Sequence, residues 1–316
     1  MTPILRWVIR LLAVAAAAAL MLFLIKDPER RKLDDAARAA APGKFVHLAD
    51  GMTHYEVAGP DTGRVILFAS AFSVPGFISD PLFQSLADSG FRVIRFDYYG
   101  RGWSDRIDTV YDQDLFVRQM AGLLDSLRVT TPVTLASISY GAAMITSFAD
   151  RYPDRVRALI YLDPVINNRR PLPPEERSRL AWDYHMVLRG GSDEMAEGQL
   201  YDFLYPDRHP DWVARYRVQQ RFKGTREAWR RTRAAIAESP DQMEQLRRVG
   251  ASSRPVLVIW GRQDPVAPFG ESPGFMSAFP RGTLVPVDSA GHMSHADQPD
   301  AVVAVVVSFL QRPEAP

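Results

Sequence analysis

"TPVTLASISYGAAMITSFADRY", residues 131 to 152, decides the fold. Its first half is a β-branched, apolar run of the kind that makes a buried strand, and its second half has helical spacing. Between them stands Ser139, with Ser137 two positions before it and Gly141 two after. A turn this tight between strand and helix tolerates only small residues at those flanking positions, because a bulky side chain would collide with the neighbouring backbone. The turn lifts the Ser139 hydroxyl to the carboxyl end of its strand, beside helix N–H groups that favour developing negative charge. An ordinary turn with a capping serine would read the same way, so the remaining sequence has to decide.

Outward from that stretch the chain alternates strand and helix. "KFVHLADG" and "MTHYEVAG" read as two strands joined at Asp50-Gly51, a hairpin signal. "RVILFAS", "FRVIRFD", "RALIYLD" and "RPVLVIWG" are continuous apolar runs suited to strands buried on both faces, and "GTLVPVD" reads as the last strand. "PLFQSLADSG", "YDQDLFVRQMAGLLDSL" and "PDAVVAVVVSFLQR" read as helices between or after them. This rhythm predicts a mostly parallel sheet covered on both faces. From 165 to 253 the strand pattern stops, and stretches such as "EERSRLAWDYHMVLR" and "TREAWRRTRAAIAE" predict a helical cap over the functional edge. It carries Trp182, Tyr184, Tyr201, Phe203, Tyr205, Trp212, Tyr216, Phe222 and Trp229, most of which are expected to form the cap's own small core. The expected organisation is therefore 1–26 apolar helix, 27–44 charged helical linker, 45–164 and 254–316 as the two parts of the core, and 165–253 as cap. In the linker, Asp27 caps the helix, Pro28 suits its first turn and Pro42-Gly43 ends it.

Composition narrows the function. The 316 residues are 47% hydrophobic and 24% charged, ordinary for a globular protein with a sizeable core. The 38 basic and 37 acidic residues nearly cancel, so no nucleic-acid partner is expected. With no cysteine there are no disulfides, thiolate nucleophiles or cysteine-bound metals. Leu11 to Ile25 contains no polar residue, and extension back to Ile4 makes it long enough to span a bilayer, with Arg6 and Arg10 near enough to the end to snorkel. A basic start before an apolar run also fits a cleaved signal, yet "FLIKDPERRK" offers no small-residue site directly after it, so a single-pass membrane anchor is expected. Lys26, Arg30, Arg31, Lys32 and Arg38 follow the span, which favours a cytoplasmic domain, while the signal-like start favours export.

A serine needs a base, and the base an acid, both at carboxyl ends of later strands, where open α/β sheets bind ligands. "VLVIWGRQDPVAP" puts Asp264 just past a strand, and "VDSAGHMSHADQP" puts His292 in the loop after the last one. The order Ser, Asp, His is that of the α/β hydrolases. With "FDYYGRGWSD", "SISYG", "WGRQDPVAP" and "GHMSHADQP", the chain from about Phe45 to Leu310 resembles the capped serine hydrolases of that fold. The resemblance implies Ser139 as nucleophile, Asp264 as acid and His292 as base. It makes His295 a non-catalytic neighbour and assigns the oxyanion hole to the backbone N–H groups of Phe72 and Tyr140. Two departures stand out: Ser137 replaces the usual first glycine of the elbow, and Ser70-Ala71 replaces a His-Gly pair before Phe72. Asp163, at the end of "YLD", is the rival acid. Ser70 and Ser73 read as loop formers, His54 as structural, Asp97 as turn architecture, and Asp105 as excluded by its place before the nucleophile.

A serine at the elbow implies acyl transfer to water without metal or cofactor, and argues against the dehalogenase and epoxide hydrolase relatives, which carry an aspartate there. The expected substrate is an ester of a hydrophobic acyl chain, a small molecule or a lipid. Carbon–carbon bond hydrolysis, release of N-terminal proline, and a non-catalytic binding role remain the alternatives.

Overall fold

The computed structural model describes residues 2–25, 27–166 and 192–312. Eight strands form one sheet: β1 (Lys44–His47), β2 (Met52–Ala58), β3 (Val65–Ala69), β4 (Arg92–Phe96), β5 (Val133–Ile138), β6 (Val156–Leu162), β7 (Val256–Gly261) and β8 (Thr283–Val287), in the order β1-β2-β4-β3-β5-β6-β7-β8. β1 and β2 are the hairpin expected at Asp50-Gly51, closed by the Leu48 N–H on the Gly51 carbonyl. β2 meets β4 antiparallel, and every pairing from β4 to β8 is parallel.

The central strands alternate between two cores. Leu67, Leu135, Tyr161 and Val258 face one layer, and Phe68, Ala136, Ile160 and Ile259 the other. The first layer is covered by the helices Gln113–Ser126 and Gly141–Arg151, the second by Asp80–Asp88 and Pro299–Gln311. Helix Gln113–Ser126 starts where the Asp112 carboxylate accepts from the Leu115 N–H at 2.9 Å. It stops at Arg128, which adopts φ 53° so that the Val129 N–H can close on the Leu124 carbonyl. Leu135 has no exposed surface, and truncating such a side chain to Ala costs about 2–5 kcal/mol.

Two stretches differ from expectation. Of the linker 27–44, only Asp35–Ala39 is helical, capped by Asp34 rather than Asp27. Residues 27–31 turn and pack against the cap instead, with the Arg30 N–H back on the Pro28 carbonyl: Arg31 bridges Phe222, its N–H on the Arg221 carbonyl and its carbonyl taking the Lys223 N–H. Asp27 accepts the Glu29 N–H at 3.1 Å and also holds the Arg226 guanidinium, while Glu29 takes the backbone N–H groups of Gly224 and Arg226, so these acids tie the segment to the cap. The second difference lies at the cap's end. Helix Met243–Gly250 buries Leu246 and Val249 in the first core layer, beside Gly141–Arg151, so its packing is that of a core helix.

The described cap helices are Ser192–Gly198, Trp212–Gln220 and Thr225–Glu238. Phe203, Trp212, Tyr216, Phe222 and Trp229 are buried there, with Phe203 and Trp212 edge to face at 4.7 Å, whereas Tyr201 is exposed. Trp182, Tyr184 and "EERSRLAWDYHMVLR" lie outside the described residues. The apolar helix runs from Pro3 to Ile25, and its most apolar stretch, Pro3–Met21, has a mean hydropathy of 2.0 and is wholly unburied.

Candidate active site

Ser139 follows β5 directly and opens onto helix Gly141–Arg151. Its φ of 55° is a left-handed value that a residue with a Cβ adopts only under strain, on the order of 1–3 kcal/mol. The neighbours hold it there: the Ser139 N–H bonds the Leu162 carbonyl at 3.0 Å, and the Ser139 carbonyl takes the N–H groups of Ala142 and Val165. The smallness of position 141 has a steric cause. A Cβ on Gly141 would stand 2.4 Å from the Ala69 carbonyl oxygen and 2.6 Å from that of Ser70. Ser137 is fully buried and fits without the glycine found at that position in the related pattern.

The three residues expected from sequence come together. Ser139 Oγ lies 2.8 Å from His292 Nε2, and His292 Nδ1 lies 2.8 Å from Asp264 Oδ2. The other oxygen of Asp264 accepts from the N–H groups of Val266 and Ala267, each at 2.8 Å, which fixes the carboxylate in the turn after β7. Burial works against charge on His292, but its bond to Asp264 and the nearby carboxylates of Asp264, Asp163 and Asp202 outweigh it and raise its pKa above the ordinary 6.5. Such a chain of contacts can draw the proton from the serine hydroxyl and hold it on imidazole.

The backbone N–H groups of Phe72 and Tyr140 donate no hydrogen bond among the described residues, and their rings meet edge to face at 6.3 Å beside Ser139. Arg101, buried in the "YYGRGW" turn, donates from Nε to the Phe72 carbonyl at 2.9 Å and stacks on the Phe72 ring. It anchors the loop where Ser70-Ala71 stands in for His-Gly, and the turn reading of that motif gave no sign of it. The Ser70 hydroxyl donates to the Phe96 carbonyl at 3.4 Å, and the Ser73 carbonyl receives Gln219 at 2.8 Å, as loop formers would.

Among the described residues Asp163 makes no hydrogen bond to His292. It takes the Gly261 N–H at 2.8 Å and the N–H and hydroxyl of Ser294 at 3.0 and 2.7 Å, tying the end of β7 to the loop that carries His292. Burial pushes its carboxyl up to about 7 despite those donors and the nearby His292. His295 is fully buried, with Nε2 at 2.8 Å from the Ile78 carbonyl, and burial holds its pKa down to about 4. His54 pairs with Asp97 at 2.8 Å, far from Ser139 in the hydrogen-bond network, and Asp105 receives the Met52 N–H and Arg38. Sequence reasoning missed Asp297, whose carboxylate takes the N–H groups of Gly291, Leu204 and Tyr205 and so joins the His292 loop to the cap. Only its place five residues after the histidine hinted at this.

Over Ser139 opens a cavity of about 710 Å³. Its walls are partly apolar, with Phe72, Ile236 and Phe275, but Arg233 and Arg247 bring two cations to the same space. Among the described residues no cluster of three or more His, Asp or Glu groups could hold a metal ion.

Residues 66–305 match the family described as "Alpha/beta hydrolase family". Among curated proteins, the 2-hydroxy-6-oxononadienedioate/2-hydroxy-6-oxononatrienedioate hydrolase of Burkholderia vietnamiensis is 26% identical over 284 residues, covering 86% of this chain and 97% of its own. The 2-hydroxymuconate semialdehyde hydrolase of Pseudomonas sp. is 28% identical over 244 residues, 71% of this chain and 78% of its own. Among solved structures, a thermophilic esterase from Thermogutta terrifontis superposes with a TM-score of 0.73 at 26% identity, covering 85% of this chain and 98% of that one.

Proposed function

The chain belongs to the alpha/beta hydrolase family, and from that premise we propose that it hydrolyses a carbon–carbon bond beside a ketone in a small carboxylate-bearing substrate, through an acyl-enzyme on Ser139. One observation carries this reading: the Ser139–His292–Asp264 relay opens into a cavity that Arg233 and Arg247 also line. Two arginines suit an anionic substrate better than an unbroken hydrocarbon chain. The similarity to hydrolases of dioate and semialdehyde substrates supports the same choice.

In this mechanism Ser139 Oγ attacks the ketone carbon while His292 Nε2 takes its proton. The oxyanion forms against the N–H groups of Phe72 and Tyr140. The carbon–carbon bond then breaks, its electron pair passing into the conjugated acid fragment, and His292 returns the proton to that carbon. Water, activated by the same imidazole, releases the acyl group from Ser139. The carboxylate of the substrate is received by Arg233 or Arg247. Asp264 keeps His292 oriented and offsets its charge.

Ester cleavage is the second reading, since the same relay serves it without change and the esterase structure at 26% identity supports it. The apolar helix Pro3–Ile25 is proposed as a membrane anchor. The test is a direct competition: purified full-length chain assayed on a 2-hydroxy-6-oxo-dienedioate, whose absorbance is lost on cleavage, and on nitrophenyl esters of rising chain length. A higher kcat/KM for the dioate supports the first reading, and a higher value for the longer esters replaces it with the second. Absence of turnover, together with no fluorophosphonate labelling of Ser139, would remove both and leave a binding protein.

A further inference from the structure

A group of exposed cations gathers where the apolar helix meets the cap. Arg31 and Lys32 lie on the strap just after the helix, and Arg221 and Lys223 lie on the cap corner that the strap touches. All are exposed, and none pairs with a carboxylate among the described residues. The nearby acidic residues are engaged elsewhere. Asp27 and Glu29 pair with Arg226, at 3.1 and 3.9 Å, Glu29 also takes the N–H groups of Gly224 and Arg226, Asp34 caps its own short helix at the Ala37 N–H, and Asp35 pairs with Arg38 at 3.4 Å.

The joint is tied in register with the helix. The Asp27 N–H bonds the Leu24 carbonyl, and Arg30 donates to the carbonyls of Ile25 and Asp27, closing the helix end. Only five residues separate Ile25 from Arg31, whose backbone is held between Arg221 and Lys223 at 2.9 Å on each side. The helix has 23 residues, which gives roughly 34 Å of length, against about 30 Å for a hydrocarbon core. If the helix fills the hydrocarbon, the strap emerges at headgroup depth and carries the Arg221–Lys223 corner there with it.

We infer that Arg31, Lys32, Arg221 and Lys223 form a basic collar that docks on an anionic bilayer surface and holds the cap against the membrane. The partner is the headgroup layer of acidic phospholipids, recognised by charge rather than by a pocket. The inference rests on the anchor reading and is independent of which bond the active site cleaves.

The native chain has no cysteine, so single-cysteine reporters place one dye each. Full-length Ala36→Cys reports near the collar, and Asp61→Cys reports on the loop before β3, at the opposite edge of the parallel strands. Each is reconstituted in vesicles of phosphatidylcholine alone or with about a third phosphatidylserine, carrying a headgroup-labelled acceptor. Energy transfer from position 36 should rise with phosphatidylserine and fall back when salt is raised from about 0.1 to 1 M, which shortens the screening length from about 10 to 3 Å. Position 61 should not respond. In Arg31→Gln/Lys32→Gln/Arg221→Gln/Lys223→Gln the lipid dependence should vanish, with thermal melting and fluorophosphonate labelling of Ser139 unchanged. Equal transfer in both lipids overturns the collar, as does a response that survives the fourfold variant or appears equally at position 61. Release of the chain from vesicles by carbonate overturns it together with the anchor, whereas a retained chain that ignores phosphatidylserine overturns the collar alone.

Discussion

Asp264 and Glu29 do the same chemical work in two places. Each is a carboxylate that accepts backbone N–H groups: Asp264 those of Val266 and Ala267, Glu29 those of Gly224 and Arg226. The difference is reach. Asp264 bonds two and three residues ahead, within the turn its own sequence dictates, while Glu29 bonds partners 195 and 197 positions away. A carboxylate with local partners leaves a motif, "GRQDPVAP", and can be read from the chain. One with distant partners leaves only an acidic residue in a charged stretch, which reads as a helix start.

The comparison breaks first at the catalytic edge. Ser139→Ala and His292→Ala should each lower kcat for the preferred substrate by at least about a thousandfold, with melting temperature little changed, because members of one relay fail together. Fluorophosphonate labelling should be lost in the serine variant. Turnover near normal in either would move the chemistry away from the β5 turn.

A second test separates two carboxylates at that edge. Asp264→Asn disturbs the tautomer and orientation of His292 and should cost on the order of 10²–10⁴ in kcat. Asp163→Asn replaces one of the two oxygens that accept from Gly261 and Ser294 by an NH2 facing a donor, and leaves the His292–Asp264 bond in place, so its effect on kcat should be smaller and its effect on stability larger. Steady-state kinetics and thermal melts on both variants decide it. The opposite ranking would make Asp163 the acid.

What the sequence discloses follows the same division of near and far. The central strands β3, β5, β6 and β7 are largely apolar runs buried almost throughout, and Ser139, Asp264 and His292 follow strands that end on one edge. Ser137 and Gly141 are legible as a local spacing around Ser139, although the clash that demands glycine at 141 is with the carbonyls of Ala69 and Ser70 in the neighbouring strand and loop. The strap, the packing of Met243–Gly250 on the core, the Arg101 clamp on Phe72 and the Asp297 link to the cap join segments far apart in the chain. No periodicity records those. The two arginines that turned the substrate reading from hydrocarbon toward carboxylate belong to the same group, because only the folded chain places Arg233 of the cap and Arg247 of the helix Met243–Gly250 in one space with Ser139.

The pH dependence offers a finer probe of the active edge. His292 must be neutral to accept the serine proton, so kcat/KM should fall as pH drops through its pKa, which lies above the ordinary 6.5. Asp163 contributes to that elevation through its charge. In Asp163→Asn the acid limb should therefore move to lower pH, a displacement that a purely structural lesion would not produce. A limb that stays in place would mean that Asp163 carries no charge in the working enzyme.

The smallest effect should come from Glu29. The helix Thr225–Glu238 begins at Gly224, which has no side chain to cap it, and Glu29 supplies the missing acceptor from the strap. Removing a helix cap typically costs about 1 kcal/mol, so Glu29→Ala should lower stability by roughly that amount, visible as a modest drop in the denaturant midpoint at unchanged slope. Glu29→Gln keeps one acceptor oxygen and should fall between. Arg233 and Ile236 line the cavity from the far end of the same helix, so the catalytic constants show whether loosening one end reaches the other. If the joint and the active edge are energetically separate, kcat on a soluble substrate should stay within about twofold, the coupling expected of distant independent sites. A much larger fall in kcat would show that the strap helps to shape the cavity, and that the carboxylate hardest to read in the sequence acts on the site that is easiest to read.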